Sequence, residues 1–362
     1  LFFPERDLFI MKELYSKIYH NLQKIDFESI WHGFSPCEFA LYDEHKVYFL
    51  DGTQSVDNRF LGNTSILYNG KPLAIWKVTN PKLQDPILLT AKIVHEMFHS
   101  FQKEQHEERF PDDLMMLSYP DDAVIHTIRQ EENKLLASIF LEGDTSKKEA
   151  ILQNFIQLRK YRAEKETNII KQEFLAETIE GMAEYAGCMA LKQLSPDHYY
   201  QIIQNNINIL AEPAPFFFDI RKMSYYTGSM LCLALSETDT SFYHEIGKES
   251  LSLFELISRE VPLKYTSIQP SPILVRMLEE NHRQKEDILS SFLHTNPNYT
   301  SVQASICGYD PMNMWKLGDY LFCSHFVLLE CDSGTEKFLK GPVALLVSDS
   351  CNHQIKGYFQ KK

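Results

Sequence analysis

The chain has 362 residues, 44% of them hydrophobic and 23% charged, with 24 Phe and 18 Tyr. That length and apolar content can build a sizeable core and exclude a disordered chain. Forty-nine Asp and Glu against 36 Lys and Arg leave a net charge of −13, which repels phosphate backbones, and no basic stripe reverses it; nucleic acid is not an expected partner. The seven cysteines are odd in number and lack CxxC spacing. They fit a reduced setting better than a disulfide framework or a cysteine zinc cluster. No uncharged apolar run reaches 18 residues, so no membrane span is expected. The opening LFFPERDLF has no basic region or long apolar core of a signal peptide, and no initiator Met. A cytoplasmic protein is expected, with secretion left open if a leader was trimmed.

Residues 7–30 place apolar side chains at helical spacing. Between 37 and 78 the segments are short, β-branched and aromatic, and Asp-Gly, Gly-Asn and Asn-Gly separate them; this predicts a small sheet of hairpins. Asp85-Pro86 is a capping residue followed by a first-turn proline, which predicts a helix over 86–108. Residues 121–166 read as a helical hairpin broken at Gly143-Asp144, followed by a helix over 167–194 and further helices to 294. From about 298 the texture is β-like again. The expected fold class is α+β: a small N-terminal mixed sheet packed on the helix 86–108, a large mainly helical part, and a small β-rich C-terminal module. Residues 1–297 are expected as one domain and 298–362 as the second.

The helix 86–108 carries His95-Glu96-Met97-Phe98-His99. Four residues advance about 400°, so the two imidazoles leave one helix face a turn apart and can share one tetrahedral ion. Zinc suits them, being borderline-soft and undemanding in geometry. Glu96 lies beside that line, where a carboxylate can act as base toward a metal-activated water attacking a carbonyl. Two core histidines with ordinary hydrogen bonds are the plain alternative. A catalytic zinc needs a third protein ligand. Downstream, Glu173, Glu177, Glu180 and Glu184 are spaced 4, 3 and 4 apart, which puts them on one face of the helix 167–194. Acidic stripes are usually solvated. Here Lys171 is the one basic residue between Glu166 and Lys192, and the neighbours are apolar. Gly181 inside this helix costs about 1 kcal/mol relative to Ala, which a close approach by another element, such as the metal-bearing helix, would explain.

The segment IEGMAEY (179–185) resembles the glutamate-glycine segment of gluzincin-type zinc metallopeptidases, and RKMSYYTGSM (221–230) resembles the Tyr-x-x-Gly segment that follows it in that group. The resemblance covers three short segments, about a tenth of the chain. It implies a peptidase MA-like zincin fold with one Zn²⁺ per chain and a peptide or protein as substrate. The metal ligands would be His95, His99 and Glu180, with Glu96 as general base. Glu184 would support a ligating histidine, with Glu177 beside it. Tyr225, in register with Gly228, would stabilise the oxyanion, and Tyr226 is the alternative. Eighty residues separate His99 from Glu180, far more than in the aminopeptidases of the group, and no Gly-Ala-Met-Glu-Asn stretch precedes the first motif. An endopeptidase is therefore expected rather than an aminopeptidase. Substrate in this group commonly adds to an edge strand, which makes Leu73, Ala74, Ile75 and Trp76 candidates for substrate binding if theirs is an edge strand, together with Arg221. The other histidines lack metal spacing, and of these His244 follows the tyrosine segment most closely. A catalytically silent zincin-fold binding or regulatory protein is the alternative function.

Overall fold

The structure, a computed structural model, describes residues 4–237, 246–264, 267–332 and 334–361. Helices α1 (Pro4–Leu22) and α2 (Phe27–Ile30) lead into strands β1 (Glu38–Tyr42), β2 (Lys46–Phe49), β3 (Gly52–Ser55), β4 (Thr64–Tyr68) and β5 (Lys71–Lys77). Eight helices follow: α3 (Pro86–Glu104), α4 (Asp113–Met116), α5 (Ala123–Ile139), α6 (Thr145–Ala163), α7 (Thr167–Leu194), α8 (Pro196–Ala211), α9 (Ile220–Ser236) and α10 (Leu253–Ser258). After α11 (Pro272–Thr295) come β6 (Tyr299–Tyr309), β7 (Met314–Leu317), β8 (Tyr320–Cys323), β9 (Phe326–Cys331), β10 (Glu336–Lys340), β11 (Val343–Val347) and β12 (Gln354–Gln360). The architecture is α+β, with an N-terminal mixed sheet, a large helical middle and a C-terminal antiparallel sheet. Among the described residues no helix is long and apolar enough to cross a membrane. No pair of the seven cysteines forms a disulfide.

The chain packs as two compact units that interleave in sequence. Leu1–Phe110, Glu177–Ile209 and Tyr225–Leu253 form the first; Pro111–Ala176, Leu210–Ser224 and Phe254–Lys362 form the second. In the first unit the strand order is β3-β2-β1-β5-β4, with β1 parallel to β5 and the other pairs antiparallel. One hairpin turn is Asn69-Gly70, both at positive φ (51° and 80°), the conformation that a two-residue type I′ turn requires. Helix α3 packs against β4 and β5, and α1 packs on α3. The predicted helix 7–30 is two helices. The chain leaves α1 at Leu22 and restarts where Asp26 accepts a hydrogen bond from Ser29 N.

Helix α3 begins where the sequence predicts. The Asp85 carboxylate accepts from Ile87 N and Leu88 N, with Pro86 in the first turn. It ends at Glu104, short of 108, because His106 turns to φ 59°. Its apolar face is anchored by aromatic rings: Phe98 packs edge-on to Trp31 and Phe34 at 5.1 Å each, and Phe101 lies 5.4 Å from Phe34. Ile93, Val94, Met97 and Phe98 are fully buried. Burying such a side chain is worth about 1.5–3 kcal/mol, so this face fixes the rotation of the helix and with it the direction of His95 and His99.

In the second unit the seven C-terminal strands form one sheet, ordered β10-β9-β6-β12-β11-β8-β7, with every pair antiparallel. Leu289 of α11 packs on Phe322 and Ala344 of this sheet, and a larger apolar core includes Leu114, Val327 and Leu345. The helical hairpin appears as α5 and α6, and buried charges join it to the first turns of α7. Glu132 receives Arg159 Nε at 2.9 Å and Arg162 Nε at 2.7 Å, and Arg162 Nη1 reaches Glu173 Oε2 at 2.5 Å. All four side chains are shielded from water. Breaking such a set from one side leaves an uncompensated charge inside, at a cost of about 3–5 kcal/mol.

Candidate metal centre

Three ligand-type atoms meet inside the first unit. His95 Nε2 and His99 Nε2 lie 3.1 Å apart, and Glu180 Oε2 stands 3.3 Å from the first and 3.2 Å from the second. A tetrahedral ion with bonds of 2.0–2.1 Å holds its ligand atoms about 3.3 Å apart, so one cation fits the triangle. Among the described residues, this is the group of histidine and acid side chains close enough to share a metal. The helical spacing of α3 supplies the two imidazoles, and α7 brings the carboxylate from 81 positions along the chain.

The outer partners decide which ring atoms face inward. Gln102 Nε2 donates to the carbonyl of Ile179 at 3.1 Å, which turns Gln102 Oε1 toward His99 Nδ1 at 2.8 Å. The amide oxygen can only accept, so His99 carries its proton on Nδ1 and presents a bare Nε2 to the triangle. Glu184 Oε2 lies 3.0 Å from His95 Nδ1, close in distance though off the line of the ring N–H, and favours the same tautomer there. Three acceptors facing one another at these distances repel unless a cation or a proton sits between them. A proton on His95 is the simplest such cation. Burial works against a charged His95, but its contacts with Glu180 and Glu184 outweigh burial and push its pKa up to about 10. A metal ion that displaces this proton finds the donor set already oriented.

Lys92 completes the support. Its ammonium reaches Glu184 Oε1 at 3.1 Å, so a Lys92–Glu184–His95 chain runs inward from the surface. Burial disfavours the Glu184 anion, yet Lys92 and His95 hold its pKa far below the usual carboxylate range. Glu96 differs: it is 7% exposed, and burial raises its pKa against the pull of His95 and His99. Tyr225 of α9 stacks on the His95 ring, with centroids 5.6 Å apart and planes 8° from parallel. Its neighbour Tyr226 turns toward Lys92 and Glu184, and burial raises its phenol pKa.

Two pairs of close backbones bring the helices together. A Cβ on Gly187 of α7 would stand 2.8 Å from the Ala91 carbonyl oxygen of α3. A Cβ on Gly181 would stand 2.5 Å from the Gly228 backbone of α9, and one on Gly228 would stand 2.4 Å from the Glu177 carbonyl oxygen. The close approach expected at Gly181 therefore comes from α9, not from α3, which carries His95 and His99 and meets α7 at Gly187 instead. The Tyr-x-x-Gly spacing has a packing reason: Gly228 sits at the crossing, and Tyr225, one turn earlier, reaches His95.

The acidic stripe divides its work. Glu180 joins the triangle and Glu184 supports His95, while Glu177 Oε1 accepts from Thr227 Oγ1 at 2.6 Å and so ties α7 to α9. Glu173 belongs to the second unit, where Tyr119 and Arg162 take it. Arg221, considered for substrate binding, also belongs to the second unit and lies 3.4 Å from Asp113. His244 lies outside the described residues.

The strand Leu73, Ala74, Ile75 and Trp76 needs correcting as a site for strand addition. β5 pairs with β1 on one side and β4 on the other, so its backbone groups are spent, and Leu73, Ala74 and Ile75 are in the core. The edge beside α3 is β4. The Tyr68–Lys71 turn fixes the register so that Ser65 points its backbone groups away from β5, and Lys103 Nζ donates to the Ser65 carbonyl at 3.0 Å. Ser100 Oγ, one turn earlier on α3, meets Ser65 Oγ at 2.6 Å. Gln102, Lys92 and Lys103 were not singled out from the sequence, because a lone glutamine or lysine on a helix carries no signal until its partner is visible. Compared with known protein families, with curated proteins and with solved structures, the chain matches none.

Proposed function

We propose that the chain is a zinc-dependent peptidase of gluzincin type, cutting peptide or protein substrates as an endopeptidase. The observation that carries this reading is the triangle of His95, His99 and Glu180, whose outer partners leave lone pairs facing one point. Zinc bound there would supply Lewis acidity, polarising a carbonyl and lowering the pKa of a water molecule. Glu96 takes the proton of the attacking water and returns it to the leaving amine. Tyr225, stacked beside His95, donates its hydroxyl to the developing oxyanion, with Tyr226 as the alternative donor. Gln102, and Glu184 with Lys92, hold the imidazoles in the ligating tautomer. An extended substrate lies along β4. No glutamate segment of the aminopeptidase kind precedes the motif to hold a free amine, which favours cleavage within a chain.

Metal analysis with a panel of internally quenched peptides tests the proposal. Purified protein is expected to hold one zinc per chain, lost in His95→Ala and in Glu180→Ala. Glu96→Gln is expected to keep the zinc and lose about 10²–10⁴-fold in hydrolysis. A zinc-bound wild type as inert as Glu96→Gln across the panel would instead select the silent binding protein. Protein that takes up no zinc would remove the peptidase reading.

A further inference from the structure

The second unit holds a cleft of about 560 Å³, and every residue lining it belongs to that unit. The volume falls within the range of small-molecule sites. Phe216 and Phe218, from the turn before α9, and Trp315 of β7 give it aromatic walls. Polar groups among them have bonding capacity left over. The Lys285 ammonium on α11 makes no hydrogen bond or close ion pair among the described residues, and Asp121 and Asp219 act on it only at longer range. Burial lowers its pKa, the sign of a cation partly removed from water. Asp219 uses Oδ1 to accept from Lys222 N at 2.9 Å, which leaves its other oxygen for a ligand. His126, 2% exposed, lines the same cleft, and its Nδ1 has no partner.

These leftovers select a ligand by charge. Asp113, Asp121 and Asp219 line the cleft against Arg221, Lys285 and Lys316, so its formal charges balance and a polyanion gains no net attraction. A purely apolar ligand would cover Lys285 without giving it a close ion-pair partner. A zwitterion with an apolar body suits Lys285, Asp219 and the aromatic walls together. We propose that this cleft binds a short free-ended peptide, its carboxylate on Lys285, its ammonium on Asp219, and a large apolar or aromatic side chain against Phe216, Phe218 and Trp315. The site goes beyond the peptidase reading and does not depend on it.

The test uses the full-length His95→Ala/His99→Ala variant, so that no metal site competes, and titrates the dipeptide Ala-Phe by calorimetry and by tryptophan fluorescence. Saturable binding at millimolar or lower concentration is expected, weakened at least about tenfold by blocking both ends as N-acetyl-Ala-Phe-amide. Lys285→Met is expected to weaken Ala-Phe binding by a similar factor and Lys285→Arg to restore it, with unchanged thermal melting showing that both variants fold. Trp315→Phe is expected to abolish the fluorescence change and keep the heat of binding. Absence of saturable binding, equal affinity for the blocked peptide, or indifference to Lys285→Met would each overturn the proposal. None of these outcomes bears on whether wild type hydrolyses peptides.

Discussion

Gln102 and His99 share one turn of α3, and the amide oxygen of the first sets the tautomer of the second. Gln102→Leu keeps the volume and removes that acceptor. Metal affinity is expected to fall about 10–100-fold, as measured by competition with a chromophoric chelator, while the fold is retained. A metal affinity equal to wild type would show that the tautomer is set elsewhere. His95 and His99 were legible as one cluster because spacing on a helix fixes direction; the acidic stripe offered four glutamates on one face, and the resemblance, not the spacing, pointed to Glu180. Gln102 and Lys92 were not legible, because their roles depend on atoms of other elements: the Ile179 carbonyl and the Glu184 carboxylate. Tyr225 was legible only through its neighbour three residues on. Gly228 marks where two backbones touch, and the tyrosine's ring follows from that crossing.

At the scale of elements, α7 works by being thin in two places. Gly181 admits the backbone of α9, and Gly187 admits that of α3. An added methyl meets backbone in either place, which cannot rotate out of the way as a side chain can. Gly228→Ala is therefore expected to destabilise the fold by about 1–3 kcal/mol, read from chemical denaturation, and to weaken metal binding as Glu180 is displaced. A variant with wild-type stability and full metal affinity would show that the crossing has slack. The long helices α3, α5, α6 and α7 were readable to within a few residues from caps and periodicity, whereas the break after Leu22 and the short α4 were not. The rank of β5 within its sheet was not. Pro72 reads as an edge-strand residue. It stands one residue ahead of Leu73, where pairing with β1 starts, and opposite Leu67 at a position whose N–H would point away from β4. The missing donor is therefore harmless in an interior strand, and only the pairing partners reveal it.

For the molecule as a whole, acid stability should reflect the buried charges of the second unit. Burial opposes ionisation of Glu173, but Arg162 and Arg129 overcome it and lower its pKa from 4.5 to about 2. A carboxylate depressed in the fold stabilises it fully above its unfolded pKa, and that stabilisation is lost as pH falls through the folded value. Wild type is thus expected to lose stability between pH 4.5 and about 2 from this group, tracked by urea midpoints. Glu173→Gln should be less stable at neutral pH and flatter across that window; a parallel pair of curves would remove the assignment. The division of the chain into two interleaved units was not legible in the sequence. Glu132, Arg159 and Arg162 read as ordinary surface charges of a helical hairpin, and nothing local shows that they turn inward.

The ammonium on the Ser65 carbonyl has a consequence for solubility as well as for binding. An unpaired strand at the rim of a sheet is a template on which another copy of the chain can crystallise into an intermolecular ladder, and a lysine anchored there acts as a guard. Only a chain that offers something better than that one bond, such as several amide donors in a row, displaces it, so casual partners are turned away. Lys103→Ala should leave this rim open and shift the protein toward dimers or larger species in analytical ultracentrifugation at high concentration, and sedimentation identical to wild type would show that the rim is protected by other means.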